Sequence, residues 1–193
     1  MDIGYKEILW AIAILIVIPQ TYIYIKSILD WETKPHIYTK LIWTIVVWIW
    51  FLIQVSYWGW AGAWLLGVWF LIQFITFLMS FKYGTKDITR FDTILLFWAL
   101  ISIPLYFWIE SAIYSLILII LIDIFAYIPT IRKTYYAPFT ESIAAFNLGI
   151  LKYWISIFAL AQYSIYTVAY PLTIVLANTV LVAIMLYRRQ WKS

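Results

Sequence analysis

Seven continuously apolar stretches, each roughly 20 residues long and parted by short connectors, leave this chain little room for anything but membrane helices. They cover residues 5–26, 37–57, 61–82, 88–108, 111–133, 140–161 and 166–187. A helix of that length crosses the hydrocarbon core of a bilayer, whereas barrel strands are shorter and alternate in polarity. The expected fold is therefore all-α transmembrane, with seven TM helices. Composition agrees with this reading. Of 193 residues only 11% are charged, against about 25% in a soluble domain, and the mean hydropathy is +0.93. With no cysteine and one histidine, neither a disulfide framework nor a metal site built on thiolates or imidazoles is expected, and no cofactor is called for.

The connectors set an orientation, because Lys- and Arg-rich loops are retained on the cytoplasmic side. Lys26, Lys34 and Lys40 follow or flank the first connector, Lys82, Lys86 and Arg90 the third, and Arg132 and Lys133 the fifth. Near the C-terminus come Arg188, Arg189, Gln190, Trp191 and Lys192. Connectors 56–60 and 162–165 carry no charge, and the one after the fourth span carries only Glu110. The N-terminus is thus expected outside and the C-terminus in the cytoplasm, in a plasma or inner membrane. The net charge of +4 is accounted for by these inner ends and implies no nucleic-acid partner. Trp10, Trp58, Trp60, Trp64 and Trp108 fall near outer ends and Trp31 and Trp191 near inner ends, where indole favours the headgroup layer.

The chain also repeats itself. Pro19-Gln20 near the inner end of the first span corresponds to Pro129-Thr130 in the fifth. Each is followed by a basic connector with a second proline, Pro35 or Pro138, and at matching distances beyond come Trp50-Phe51 and Tyr153-Trp154. Gln73 then aligns with Asn178. Residues 1–82 and 111–193 thus read as two three-helix units, joined by a linker helix in 83–110. One intervening span returns the chain to the same side, so the repeats are parallel, with their axis along the membrane normal. In this 3+1+3 layout, with its Pro-Gln motif and predicted orientation, nearly the whole chain resembles the PQ-loop superfamily. That superfamily includes SWEET sugar facilitators, cystinosin-type exporters and the KDEL receptor. The resemblance implies alternating access, with Pro19, Gln20 and Pro129 as hinge residues, and it is compatible with a homo-oligomer.

Charge inside a membrane needs a partner or a water-filled cavity, since Lys or Asp at a helix centre costs roughly 2.5–3.5 kcal/mol. Lys152 lies about 12 residues, roughly 18 Å, in from the inner start of the sixth span. Asp123 lies about as far in from the outer start of the fifth. Equal depth predicts an Asp123–Lys152 ion pair at the midplane, level with Gln73 and Asn178. Two readings stay open. The pair is a neutralised strut and the amides join helices; or all four converge on a substrate cavity walled by Trp50, Phe51, Tyr153 and Trp154. In the second reading the solute is small and polar, such as a sugar or an amino-acid-like compound, carried by facilitated or proton-coupled transport, with Asp123 the candidate proton carrier. Asn178 also matches the position of the pocket asparagine that the resemblance to SWEETs implies. The rival is a non-transporting receptor or structural subunit, which would fill the same space with dry Trp and Phe.

His36, beside Pro35, is expected as a solvated loop residue. Together with Lys34, Arg132, Lys133, Arg188 and Arg189 it either serves topology alone or meets anionic lipid headgroups. No paired carboxylates at hydrolase spacing, phosphate-cradling Gly loop or Ser-His-Asp set is evident, so no enzyme is expected.

Overall fold

Helices form along the apolar runs, continuing through Pro19, Pro104, Pro129 and Pro171, and several of them begin where a polar side chain can take over the unpaired backbone groups at a helix end. The computed structural model describes residues 4–56, 60–160 and 162–191, with side chains at 50, 52–56, 60–66, 106–107, 112 and 166 left out of the description. Its elements are seven helices: α1 Tyr5–Leu29, α2 Ile37–Ser56, α3 Trp60–Tyr83, α4 Arg90–Trp108, α5 Ala112–Tyr136, α6 Ile143–Phe158 and α7 Ile165–Gln190. No strand occurs among the described residues.

Caps explain several boundaries. At α4 the Thr89 hydroxyl accepts from the Asp92 N–H at 3.2 Å, while the Asp92 carboxylate accepts from the Thr89 N–H at 2.8 Å, a reciprocal capping box. Ser164 and Thr167 form the same device at α7. Ser142 caps α6, so that helix starts at Ile143 rather than at 140 as its hydropathy suggested; residues 140 and 141 belong to the connector. In the opposite sense, α1 and α5 continue past Lys26 and Lys133 for another three residues. Basic residues suit a helix C-terminus and do not end it.

Among the described residues three helices are long and apolar enough to cross a membrane: Tyr5–Leu29, Ile113–Tyr136 and Thr167–Gln190. Large apolar side chains such as Leu15, Ile18, Phe97 and Leu176 point outward, a surface that water would not tolerate over such an area.

Six of the helices close a ring. α1 packs against α3 and α6, α2 against α3 and α5, and α7 against α5 and α6, giving the circular order α1-α3-α2-α5-α7-α6. α4 lies outside the ring, against α2 and α5. Among the described residues the backbones of α1 and α2, and of α5 and α6, are not packed side by side; they meet only through side chains, such as Lys40 over Tyr24 and Tyr127 beside Phe146. Two apolar clusters hold the ring. Ile42, Val46, Ala99, Ile119, Ile122 and Ala126 join α2, α4 and α5; Phe146, Ile174, Leu181 and Met185 join α6 to α7, with Tyr127 reaching in from α5.

One end of the ring is knitted by the connectors that carry Pro35 and Pro138. The Lys34 N–H donates to the Thr140 carbonyl at 3.0 Å. The Lys133 ammonium, 2% exposed, donates to the carbonyls of Lys34 (2.6 Å) and Thr140 (3.2 Å) and to Glu141 Oε1 (2.5 Å). Arg132 pairs with Asp87 and Asp92, at 3.0 and 2.9 Å. Arg188 caps the Tyr135 carbonyl, and Arg189 those of Pro138 and Glu141. This corrects the expectation for His36. It is not solvated but 1% exposed, with Nε2 at 3.6 Å from Asp92 Oδ2. Packing a connector under a helix bundle buries whatever polar side chains it carries; Lys133 finds partners there, whereas the two His36 ring nitrogens accept or donate no hydrogen bond among the described residues.

Candidate functional site

The ring surrounds a cavity of about 100 Å³, room for several waters or a small solute. All six ring helices line it and α4 does not. α1 contributes the neighbours Gln20 and Thr21 and, one helical turn on, Tyr24. Lys40 and Trp43 come from α2, Trp69, Gln73 and Thr76 from α3, and Asp123 and Tyr127 from α5. α6 supplies Phe146, Lys152 and Tyr153, and α7 supplies Tyr170, Ile174 and Asn178 at four-residue steps.

Asn178, 4% exposed, accepts through Oδ1 a hydrogen bond from the Tyr127 hydroxyl at 2.9 Å. Its amide nitrogen lies over Gly149 of α6, where an added Cβ would come within 3.0 Å both of that nitrogen and of Gln20 Nε2. Gly149 thus lets α1, α6 and α7 bring two amides together, a close approach that only the absence of a side chain permits. Gln73 on α3 accepts from the Thr76 hydroxyl at 3.4 Å. Asp123, 2% exposed, takes a hydrogen bond from the Tyr170 hydroxyl, but its Oδ2 has no partner among the described residues. Gln20 Oε1 and Thr21 Oγ1 are likewise without partners. Buried polar atoms left unsatisfied carry a desolvation cost, and three lining one cavity ask for something to fill it.

The predicted Asp123–Lys152 ion pair does not form. The Lys152 ammonium instead lies over the rings of Trp69, 4.2 Å from the centroid, and Tyr153, at 4.8 Å. Equal depth placed both residues at one level, but depth says nothing about direction around the helix axis. Two further placements differ from expectation. Trp154 is 42% exposed and stacks on Phe158 outside the ring. Phe51 packs beside Trp48 and Gly67 and does not line the cavity. Adjacent residues on a helix point about 100° apart, so of the pair Tyr153-Trp154 only the first faces inward. Trp50 lies in α2 outside the described side chains, and Trp58 outside the described residues. Of the prolines, Pro129 is buried and Pro19 is exposed, while its neighbour Gln20 enters the cavity.

The aromatic wall made by Tyr24, Trp43, Trp69, Tyr127, Phe146 and Tyr170 was not anticipated. The available signal was periodicity: Gln20 and Tyr24, Asp123 and Tyr127, and Tyr170 and Asn178 recur at helical spacing inside apolar runs.

Towards the knitted end, the Lys40 ammonium sits over Tyr24 and Trp43, at 4.2 and 5.0 Å, with Glu141 behind it. Beyond, in the connector, burial pushes the His36 imidazole down to about 4, with nearby Lys133 and Arg132 adding to the effect and Asp92 opposing it. The ring is therefore neutral at physiological pH.

Fold and site together define an all-helical protein, three of whose described helices are long and apolar enough to cross a membrane, with a cavity lined by polar and aromatic side chains. Compared with known proteins, the chain matches no family model, no curated relative and no solved structure.

Proposed function

We propose that this chain is a seven-span membrane transporter that binds a small polar solute in its central cavity and moves it by alternating access. In this reading α1 to α3 and α5 to α7 are two parallel repeats, α4 is the linker, and the arrangement is of the PQ-loop type, in a plasma or inner membrane with the N-terminus outside. One observation carries it: polar side chains from all six ring helices converge on a single cavity, at the junction of the two proposed repeats. The packing pattern supports the repeat, because exchanging α1, α2, α3 for α5, α6, α7 reproduces every contact in the ring. A dry scaffold would have filled this space with Trp and Phe, whereas Gln20, Gln73, Asp123, Lys152 and Asn178 line it.

The test is uptake into liposomes holding the purified protein, across a panel of labelled sugars and amino acids. Saturable uptake by the native chain, lost in Asn178→Leu, is the expected result. No uptake of any member above that of empty liposomes, by protein that remains folded, would overturn the reading.

A further inference from the structure

The two midplane charges lie in one cavity without meeting each other. Opposite charges in a low-dielectric interior attract strongly, and joining them is the simplest way to offset the cost of burying both. Here Asp123 and Lys152 line the same small space, yet the carboxylate is held by Tyr170 and the ammonium by the faces of Trp69 and Tyr153. Each keeps unused capacity. Asp123 Oδ2 accepts from no described group although the residue is 2% exposed. Lys152 has three N–H donors, and the π-faces beneath it attract its charge without satisfying a strong acceptor's place.

We propose that the cavity is built for a small zwitterion bearing both a carboxylate and an ammonium, an amino-acid-like solute whose carboxylate meets Lys152 and whose ammonium meets Asp123 Oδ2. The proposal rests on the reading of the cavity as a solute site and narrows the substrate class. A neutral polyol would leave both buried charges uncompensated. A simple carboxylate would satisfy Lys152 and leave Asp123 facing another anion. A simple ammonium would do the reverse. A zwitterion bridges the two in the way the missing ion pair would have done, and charge-assisted hydrogen bonds at both ends discriminate strongly against analogues lacking either group. The cavity of about 100 Å³ accommodates a compound with a small side chain. The remaining orphans, Gln20 Oε1 and Thr21 Oγ1, supply further acceptors for ammonium N–H groups. Lys40, which also lines the cavity, lies over the rings of Tyr24 and Trp43, and Glu141, which pairs with Lys133, attracts it only from beyond ion-pair distance.

Calorimetric titration of the purified protein in detergent tests this with four probes of similar size: L-alanine, acetate, ethylammonium and glycerol. L-alanine should bind saturably and at least about tenfold more tightly than the other three. Asp123→Asn and Lys152→Gln should each weaken L-alanine by about tenfold or more. The cross pattern separates recognition from mere structural support: Asp123→Asn, which removes a like charge, should bind acetate as tightly as the native chain or more tightly, and Lys152→Gln should do the same for ethylammonium. If Lys152→Gln does not fold, Lys152→Arg, which keeps the charge, should retain L-alanine binding. Acetate or glycerol binding as tightly as L-alanine, no binding of any probe, or unchanged L-alanine affinity in the Asp123 and Lys152 variants would each overturn the proposal. L-alanine binding without uptake in liposomes leaves the zwitterion site standing and removes transport. Glycerol uptake at an unchanged rate in Asp123→Asn does the opposite.

Discussion

At the scale of single residues, the cavity depends on contacts close enough to be broken by one methylene. At Gly149 a Cβ would stand 3.0 Å from the amide nitrogens of Asn178 and Gln20, the movable ends of two side chains. Gly149→Ala should therefore leave the melting temperature in detergent close to native while displacing Asn178 from Tyr127 and weakening solute binding. Gly149→Leu has no such escape, and overpacking of this kind costs about 1–3 kcal/mol. Equal melting of the Ala and Leu variants would contradict the close approach. Lys133 offers a second comparison. Lys133→Met strands Glu141 and two connector carbonyls, and breaking a buried pair in this way costs on the order of 3–5 kcal/mol. Glu141→Gln leaves both carbonyl bonds and an acceptor in place, so it should cost clearly less in the same melting experiment.

His36 gives a pH signature. Its imidazole protonates at about 4 in the folded protein, against the ordinary 6.5 when unfolded. Between these values the unfolded chain binds more protons, so stability is full above about pH 6.5 and falls on acidification towards pH 4, by up to about 3 kcal/mol. His36→Gln should flatten this part of the melting profile; a native profile that is already flat from pH 7 to about pH 4.5 would refute the burial.

At the scale of elements, the helices were legible because every apolar run became a helix, and their ends were less so because caps and connector hydrogen bonds, not charge, stop them. Ser142 and Thr89 show this at α6 and α4. Part of the site was legible for a related reason. Gln73, Asp123, Lys152 and Asn178 stand out as polar groups within apolar runs, and all four line the cavity. What spacing could not supply was the direction each side chain takes around its helix once six helices have chosen neighbours. The ion pair and the inward placement of Phe51 and Trp154 both failed on that point. Nor could loop charge, which reports a side of the membrane, reveal that Lys133 and His36 are buried.

The prolines belong to this scale too. Pro19 and Pro129 interrupt α1 and α5, each removing a hydrogen bond to the residue four positions earlier. If these helices bend during the transport cycle, replacing both prolines with alanine should slow uptake about tenfold or more while solute affinity stays within about twofold. Loss of affinity with an unchanged rate would assign the prolines to the site and not to its motion.

At the scale of the whole molecule, the account turns on the ring: an interior lined by polar and aromatic side chains, an apolar exterior, and one end knitted by the paired connectors. The absence of cysteine makes that claim directly accessible, since any thiol introduced is the only one present. Single-cysteine variants at Gln73 and Asn178, which line the cavity, and at Leu176, which is 58% exposed on the outer surface, provide the contrast. The decisive measurement is their reaction in sealed vesicles with a small charged methanethiosulfonate that cannot cross lipid, applied from one side and then from the other. The account predicts that Gln73→Cys and Asn178→Cys react from both sides in turn, with protection by bound solute, while Leu176→Cys, facing lipid, stays unmodified. Reaction at Leu176→Cys with none at Gln73→Cys and Asn178→Cys would contradict it.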